Sequence, residues 1–494
     1  MYRRKTVEQL KLEMPFGVQL DTNNRWVKLA EIMPWEKIEE GYGKNFKGEK
    51  GQVAKSGRLA FAALYIQGKL TITDEETVAQ IQENPSMQFF CGFEEYSPEQ
   101  PFDASLMVHF RKRITAEMMK EITEEAFVAE ARKAIEKEEK GSDKSDKTGN
   151  DEKDTNGGTD DNNDTKDPEV KGTLLLDASC CPSDIHYPTD VHLLNHAREI
   201  TEEVIDKLHE WLLRYGYVKP RTYRETARRA YLSYAKKRKH TKKEVRFSVR
   251  AQLQYVRRNL DSIAEQIECG APLSLLDNDL YGKLLVVTEL YRQQKQMYDD
   301  KTHSIEDRIV SISQPHIRPI VRGKTNAPVE FGAKVATAHV GGFTFIINLG
   351  YNNFSESQYL EASAEEYKRI FGFYPKKIIG DRAYATNDNR KYCESKHIRL
   401  SAPKRGRKSE EVKEEERKQL YRDGCIRNAV ESDYGVVKRK YGLDLVMTKL
   451  YETTLTAISF GFFVKNMERL LRLLVLLFVI KMVINGSVRG LKFA

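Results

Sequence analysis

The chain has 494 residues, enough for two or three domains and a large core, and its 81 Lys and Arg outnumber 73 Asp and Glu for a formal charge of +8. Six cysteines, Cys180 and Cys181 adjacent and four scattered, exclude a disulfide scaffold and fit no zinc template, so a reducing cytoplasm is the expected setting, and no apolar secretory stretch follows Met1. Residues 141–169 hold ten acids, four lysines and no apolar side chain. The remainder is therefore more basic than the total implies, which points to a polyanionic partner, a nucleic acid or an anionic membrane surface.

Residues 1–136 are read as a helical N-terminal domain. Thr73 and Glu76 have capping-box spacing ahead of an amphipathic run to Ile81, and Asn84-Pro85 stops that run. Ser105 to Ile114 is a second short helix with Leu106, Phe110 and Ile114 on one face. Arg111, Lys112 and Arg113 give it a basic edge that suits DNA as well as an ordinary solvated surface. Residues 137–171 cannot build a core and are expected to be a disordered acidic linker.

From residue 172 to about 466 the pattern is mixed α/β. Gly172 to Asp177 is a short apolar run ending in an acid, as expected of a buried strand. A charged helical block fills about 190–306, and it contains the densest basic cluster: Lys236, Lys237, Arg238, Lys239, Lys242 and Lys243. Its nearly uniform sign favours phosphate contact over an ordinary solvated face. Strands are predicted at 308–313, 331–338 and 342–348, with Gly341-Gly342 as a hairpin turn. A helix over 357–371, a strand over 376–381 ending in Asp381, a short strand at 398–400 and a helix over 427–440 follow. The result is a mixed sheet with one large helical insertion. Residues 467–494 form an apolar C-terminal helix and tail. Leu470 to Ile484 is shorter than the ~20 residues that span a bilayer, so a buried or partner-facing helix is expected and no membrane partner.

Asp177 and Asp381 each stand where a strand presents a side chain to a crevice. Glu431 lies on the last helix with Arg427 one turn before it and Lys438 two turns after, all on one face. Carboxylate oxygens without His or Cys neighbours favour Mg²⁺, or Mn²⁺, over zinc. Two such ions serve phosphoryl transfer by an in-line displacement.

The spacing of Arg427, Glu431 and Lys438 (Arg, three residues, Glu, six residues, Lys) resembles bacterial insertion-sequence DDE transposases. Leu174 to Ser179 resembles that family's first-aspartate region and Ile379 to Tyr384 its second. The family's signature has a Tyr three positions before the Arg, where this chain has Gly424. The resemblance implies an RNase H-like catalytic core over 172–466, with Asp177, Asp381 and Glu431 as catalytic metal ligands for two Mg²⁺ ions. Arg427 and Lys438 would frame Glu431 as DNA contacts, alongside the basic cluster. It implies binding of terminal inverted repeats, cleavage of double-stranded DNA at the ends and joining of the 3′-OH to target DNA, by a homodimer or higher oligomer. The alternatives are an RNase H-like nuclease without strand transfer and a domesticated DNA-binding protein.

Overall fold

Polar side chains set where the first helices begin. Asn24, Ser56, Thr73 and Asn84 each precede a helix and accept a hydrogen bond from a backbone N–H of its first turn. The helices are α1 (Arg25–Ile32), α2 (Trp35–Lys44), α3 (Gly57–Leu70), α4 (Asp74–Glu83), α5 (Pro85–Cys91), α6 (Leu106–Arg113) and α7 (Ala116–Ser145). The computed structural model describes residues 20–46, 53–145, 169–321, 329–402 and 410–490, with backbone alone at 141–145, 410–413 and 478–490.

The expected basic edge of α6 is partly spent inside the protein. The Arg111 guanidinium makes a forked pair with the Asp74 carboxylate, at 2.9 and 2.6 Å. Helix α7 runs on to Ser145 instead of giving way to a linker at residue 137. Lys137 to Lys140 are strong helix formers, and the Glu139 carboxylate accepts from the Gly172 N–H at 3.0 Å, tying the helix to the next strand. The rest of the expected linker, 146–168, lies outside the described residues.

Strand β1 (Thr173–Pro182) follows, and the chain then builds a second compact unit from residues 183–333 and 351–353. This unit carries α8 (Asp190–Leu212), α9 (Arg224–Ala235), α10 (Lys242–Glu268) and α11 (Asn278–Asp299), the helical insertion that the charge pattern predicts. Val204, Leu208, Val256 and Leu290 lie in its apolar core. Residues 308–313, expected as a strand, are irregular. Ile309 and Ile312 turn into the core of the helices, and the Ile309 N–H is satisfied by the Gln293 side chain at 2.9 Å instead of a neighbouring strand. Pairing begins later, where β2 (Arg318–Val321) meets the first residues of β3 (Val329–Val340).

The first unit comprises residues 1–182, 334–350 and 354–494. Beyond β3 its elements are β4 (Phe343–Gly350), α12 (Tyr359–Phe371), β5 (Lys377–Ile379), α13 (Asn387–Ser395), β6 (Arg399–Leu400), α14 (Glu410–Lys440) and α15 (Tyr451–Gly490). Gly341 and Gly342 both have positive φ, 58° and 85°, and close the β3–β4 hairpin as the sequence predicts. In the sheet, β1 lies between β3 and β5; β5 is parallel to both β1 and β6, and β4 pairs antiparallel with β3.

Helix α15 joins the N-terminal helices to this sheet. Phe460 and Phe463 pack on Phe61 of α3, and the Thr456 hydroxyl donates to the Ile114 carbonyl at 2.8 Å. The buried Asn466 amide accepts from Thr344 N–H and donates to Thr344 C=O, at 2.9 and 2.7 Å, as a neighbouring strand would. The N-terminal helices and the sheet therefore share one apolar core. Neither residue 136 nor residue 466, where domain limits were expected, is a break between compact units: 466 falls inside a continuous helix. No helix among the described residues is long and apolar enough to cross a membrane.

Candidate active site

Two parallel neighbouring strands lead to the two aspartates. The parallel β1–β5 ladder pairs Thr173 with Lys377, Leu174 with Ile378 and Leu175 with Ile379. Asp177 and Asp381 each stand two residues beyond the last pair, Asp177 still within β1 and Asp381 just past the end of β5. Contrary to the expectation from sequence, Asp177 does not end its strand. β1 continues to Pro182, and what ends beside Asp177 is the shorter β5. Asp381 caps a 3₁₀ turn at Arg382–Tyr384 through a 2.6 Å bond from the Arg382 N–H. Gly380 is needed before it, because a Cβ there would lie 2.8 Å from the Tyr384 ring.

Helix α14 supplies the third acid. Its Val430, Tyr434 and Val437 are buried, at the spacing of one helix face, and so is Tyr441 just past its end. Arg427, Glu431 and Lys438 lie on the more open side, with Glu431 exposed and Arg427 and Lys438 half-buried. The Arg427 guanidinium stands between two acids, 3.5 Å from the Asp381 carboxylate and 3.4 Å from Glu431. Tyr434 fixes the helix against β1: its hydroxyl donates to the Asp177 carbonyl at 3.2 Å and meets the Thr337 hydroxyl at 2.6 Å.

A buried network supports this turn of α14. Asp433 lies 2.5 Å from the Lys465 ammonium and 3.3 Å from His339 Nδ1, while His339 Nε2 meets Thr337 Oγ1 at 2.9 Å. Burial alone would raise the Asp433 carboxyl, but the His339 bond and the Lys465 charge hold it below the ordinary value. Burial lowers His339, which is therefore neutral at pH 7.

Asp177 has the opposite environment. Burial first, then the Glu356 and Asp381 carboxylates, push its acid up to about 6, against the Ala178 N–H bond and the Arg427 charge. Glu356 opens a 3₁₀ turn before α12, with its carboxylate 3.3 Å from the Lys334 ammonium. Sequence reading missed Glu356, and equally Asp433, Tyr434, His339 and Lys465. Asp433 and Tyr434 fall inside the Arg427–Lys438 stretch but do not belong to its spacing. Glu356 has no local signal, because its neighbours here are distant in sequence.

The arrangement is short of positive charge. Asp177, Glu356, Asp381 and Glu431 gather around two cations, Arg427 and Lys334. Hard carboxylate oxygens, one of them on an aspartate whose value burial raises to about 6, fit a divalent ion such as Mg²⁺, which would supply the missing charge. Among the described residues no three carboxylate, His or Cys groups converge closely enough to hold an ion as they stand. Arg427 occupies the space between Asp381 and Glu431, so binding requires it to yield.

The second unit presents the basic cluster. Lys236, Lys237, Arg238 and Lys239 are exposed between α9 and α10, and Lys242 and Lys243 are exposed in the first turn of α10. That helix begins at a complete capping box, Thr241 with Glu244. Lys237 is paired with Glu244 at 2.8 Å. Cations at a helix N-terminus oppose the helix dipole, an arrangement that an incoming phosphate reverses.

Residues 378–468 match a family described as "Transposase DDE domain", and residues 15–113 match one described as "Transposase domain (DUF772)". The first match contains Asp381, Arg427, Glu431 and Lys438. An uncharacterized protein of Rhizobium meliloti, ORF8 in the nfe locus, is 40% identical over 96 residues, which is 19% of this chain and 46% of that protein. The chain thus spans about half the length of that relative. No solved structure matches the chain.

Proposed function

We propose that the chain is an insertion-sequence DDE transposase, a reading that the two family matches support, and that it binds terminal inverted repeats, cuts double-stranded DNA at the ends and joins the 3′-OH to target DNA. Asp177, Asp381 and Glu431 hold the divalent ions, two Mg²⁺ or Mn²⁺. Bound there, the ions would activate the attacking oxygen and stabilise the leaving one. The observation that carries this reading is the parallel β1–β5 register that leads to Asp177 and Asp381, with Glu431 joined to Asp381 through Arg427.

The chain's own groups divide the work. Asp177 is set by β1 and by the Tyr434 bond to its carbonyl. With a cation bound, Asp177 would be held ionised well below its present value of about 6, and Arg427 would be released from the acids to meet a phosphate of the scissile strand. Lys438 contacts the backbone two turns along the same helix, and the Lys236–Lys243 segment holds a further stretch of DNA by charge. An RNase H-like core is supported by the central β1, with parallel β5 and β6 on one side and the antiparallel β3–β4 pair on the other. The reading further places the protein in the cytoplasm, acting as a homodimer or higher oligomer on DNA.

The test is incubation with Mg²⁺ and DNA carrying the element's terminal repeats, mapping cuts and joined products on each strand. Asp177→Ala, Asp381→Ala and Glu431→Gln should each abolish cleavage and joining while DNA binding persists. Full activity in any one of them overturns the assignment. Cleavage without joined product would make the protein a nuclease instead.

A further inference from the structure

We propose that one face of α10, formed by Lys243, Phe247, Arg250, Gln254 and Arg257, lies along duplex DNA, its cations on the phosphates and Phe247 against a sugar or base. The inference rests on the DNA-binding reading and extends it from the Lys236–Lys243 segment to a whole helix face. The five residues recur every three or four positions, so they share one side of the helix. All five are exposed, Phe247 by 74%. The opposite side, with Val249, Leu253, Val256 and Ile263, is buried in the apolar core of the second unit. From Val245 to Leu260 the helix holds Arg246, Arg250, Arg257 and Arg258 and no acid, and Asp261, Glu265 and Glu268 follow only in its last turns.

Folding does not explain this distribution, because cations early in a helix and acids late in it both oppose the helix dipole. Elsewhere in the same unit exposed cations meet carboxylates: Lys219 pairs with Asp206 at 2.8 Å and Arg292 with Glu289 at 2.6 Å. Among the described residues Lys243, Arg250 and Arg257 form no ion pair, and Glu244 is taken up by Lys237 and the Thr241 cap. Arg246 and Arg258 flank the face, held over the Tyr298 and Tyr223 rings at 4.1 and 4.9 Å. Uncompensated cations around an exposed aromatic ring fit a polyanion that also offers apolar surface. From Lys243 to Arg257 the face is about 21 Å long at the helical rise, enough to lie beside about six phosphates of one strand. A membrane surface would need the helix to present a free apolar side, and here that side is buried in the core of the unit.

Titration of the full chain with a duplex of arbitrary sequence at several salt concentrations, read by fluorescence anisotropy, tests this. Arg250→Gln combined with Arg257→Gln should weaken binding and flatten the slope of log affinity against log salt, by about 0.9 for each phosphate no longer neutralised. Gln254→Lys adds a cation at the middle of the face. It should tighten binding and steepen the slope by about 0.9, a gain that misfolding cannot produce. Phe247→Ala should weaken binding about tenfold with the slope unchanged. Circular dichroism verifies the helix content of each variant. Wild-type affinity and slope in all three variants, while replacing Lys236 to Lys239 with Ala still weakens binding, overturn this face and leave the DNA reading standing. No duplex binding by the wild-type chain overturns both. Binding to phosphatidylserine vesicles that the paired arginine substitutions abolish, with duplex affinity unchanged, assigns the face to a membrane and overturns the proposal.

Discussion

Asp177 concentrates the electrostatics of the site. Its folded-state acid sits at about 6, against roughly 3.9 in an unfolded chain. Between those values the folded state holds a proton that the unfolded state has released. The group therefore contributes stability that is fully present below about pH 4 and is lost as pH rises through about 6. A divalent ion removes the penalty by supplying charge. We expect added Mg²⁺ to raise the melting temperature more at pH 7.5 than at pH 5, measured by thermal unfolding in matched ionic strength. An equal shift at both would mean that Asp177 does not face the ion. The acids themselves were legible residue by residue, since Asp177 and Asp381 follow apolar runs and Glu431 carries a spaced motif. Glu356 was not legible, because only the fold brings its turn beside Asp381.

At the scale of elements, α14 and α15 act on the sheet through single polar contacts. α14 is held by Tyr434 to β1 and by Asp433 to His339 of β3 and Lys465 of α15. α15 is held by Asn466 to β4. Replacing Asn466 with Ala leaves a buried N–H and C=O of Thr344 without their partner, at a cost of about 1–3 kcal/mol. Urea unfolding checks it; a destabilisation below about 0.5 kcal/mol would show that water replaces the amide. Helix limits were read closely at α4, α6 and α12, where the periodicity is local, whereas α14 begins at Glu410 and not at the expected 427. The segment 308–313 was misread because its β-branched residues serve a helical core as well as a sheet. The length of β1 was underread, because Ser179, Cys180 and Cys181 carry no strand pattern of their own.

For the whole molecule, the second unit's basic segment tests the DNA reading apart from chemistry. Replacing Lys236, Lys237, Arg238 and Lys239 with Ala should weaken binding to any duplex. The slope of log affinity against log salt should fall by about 0.9 for each phosphate that is no longer neutralised. An unchanged slope in a salt titration would remove this segment from the interface. Lys237 should count least of the four, because Glu244 already neutralises it. The expected separate N-terminal domain dissolves at this scale: Phe61, Phe460 and Phe463 join regions that are distant in sequence into one core.

By itself the sequence determined the β3–β4 hairpin, the large helical insertion, the basic cluster and the Arg427–Glu431–Lys438 face, since these depend on spacing along one element. Tertiary structure alone decided that the strand of Asp177 runs parallel beside the strand that leads to Asp381, that Arg427 lies between Asp381 and Glu431, and that Asn389 ties the turn of Glu356 to the turn that Asp381 caps. Strand register, helix docking and the Asn389 clamp are contacts between residues far apart in the chain, and no local pattern encodes them.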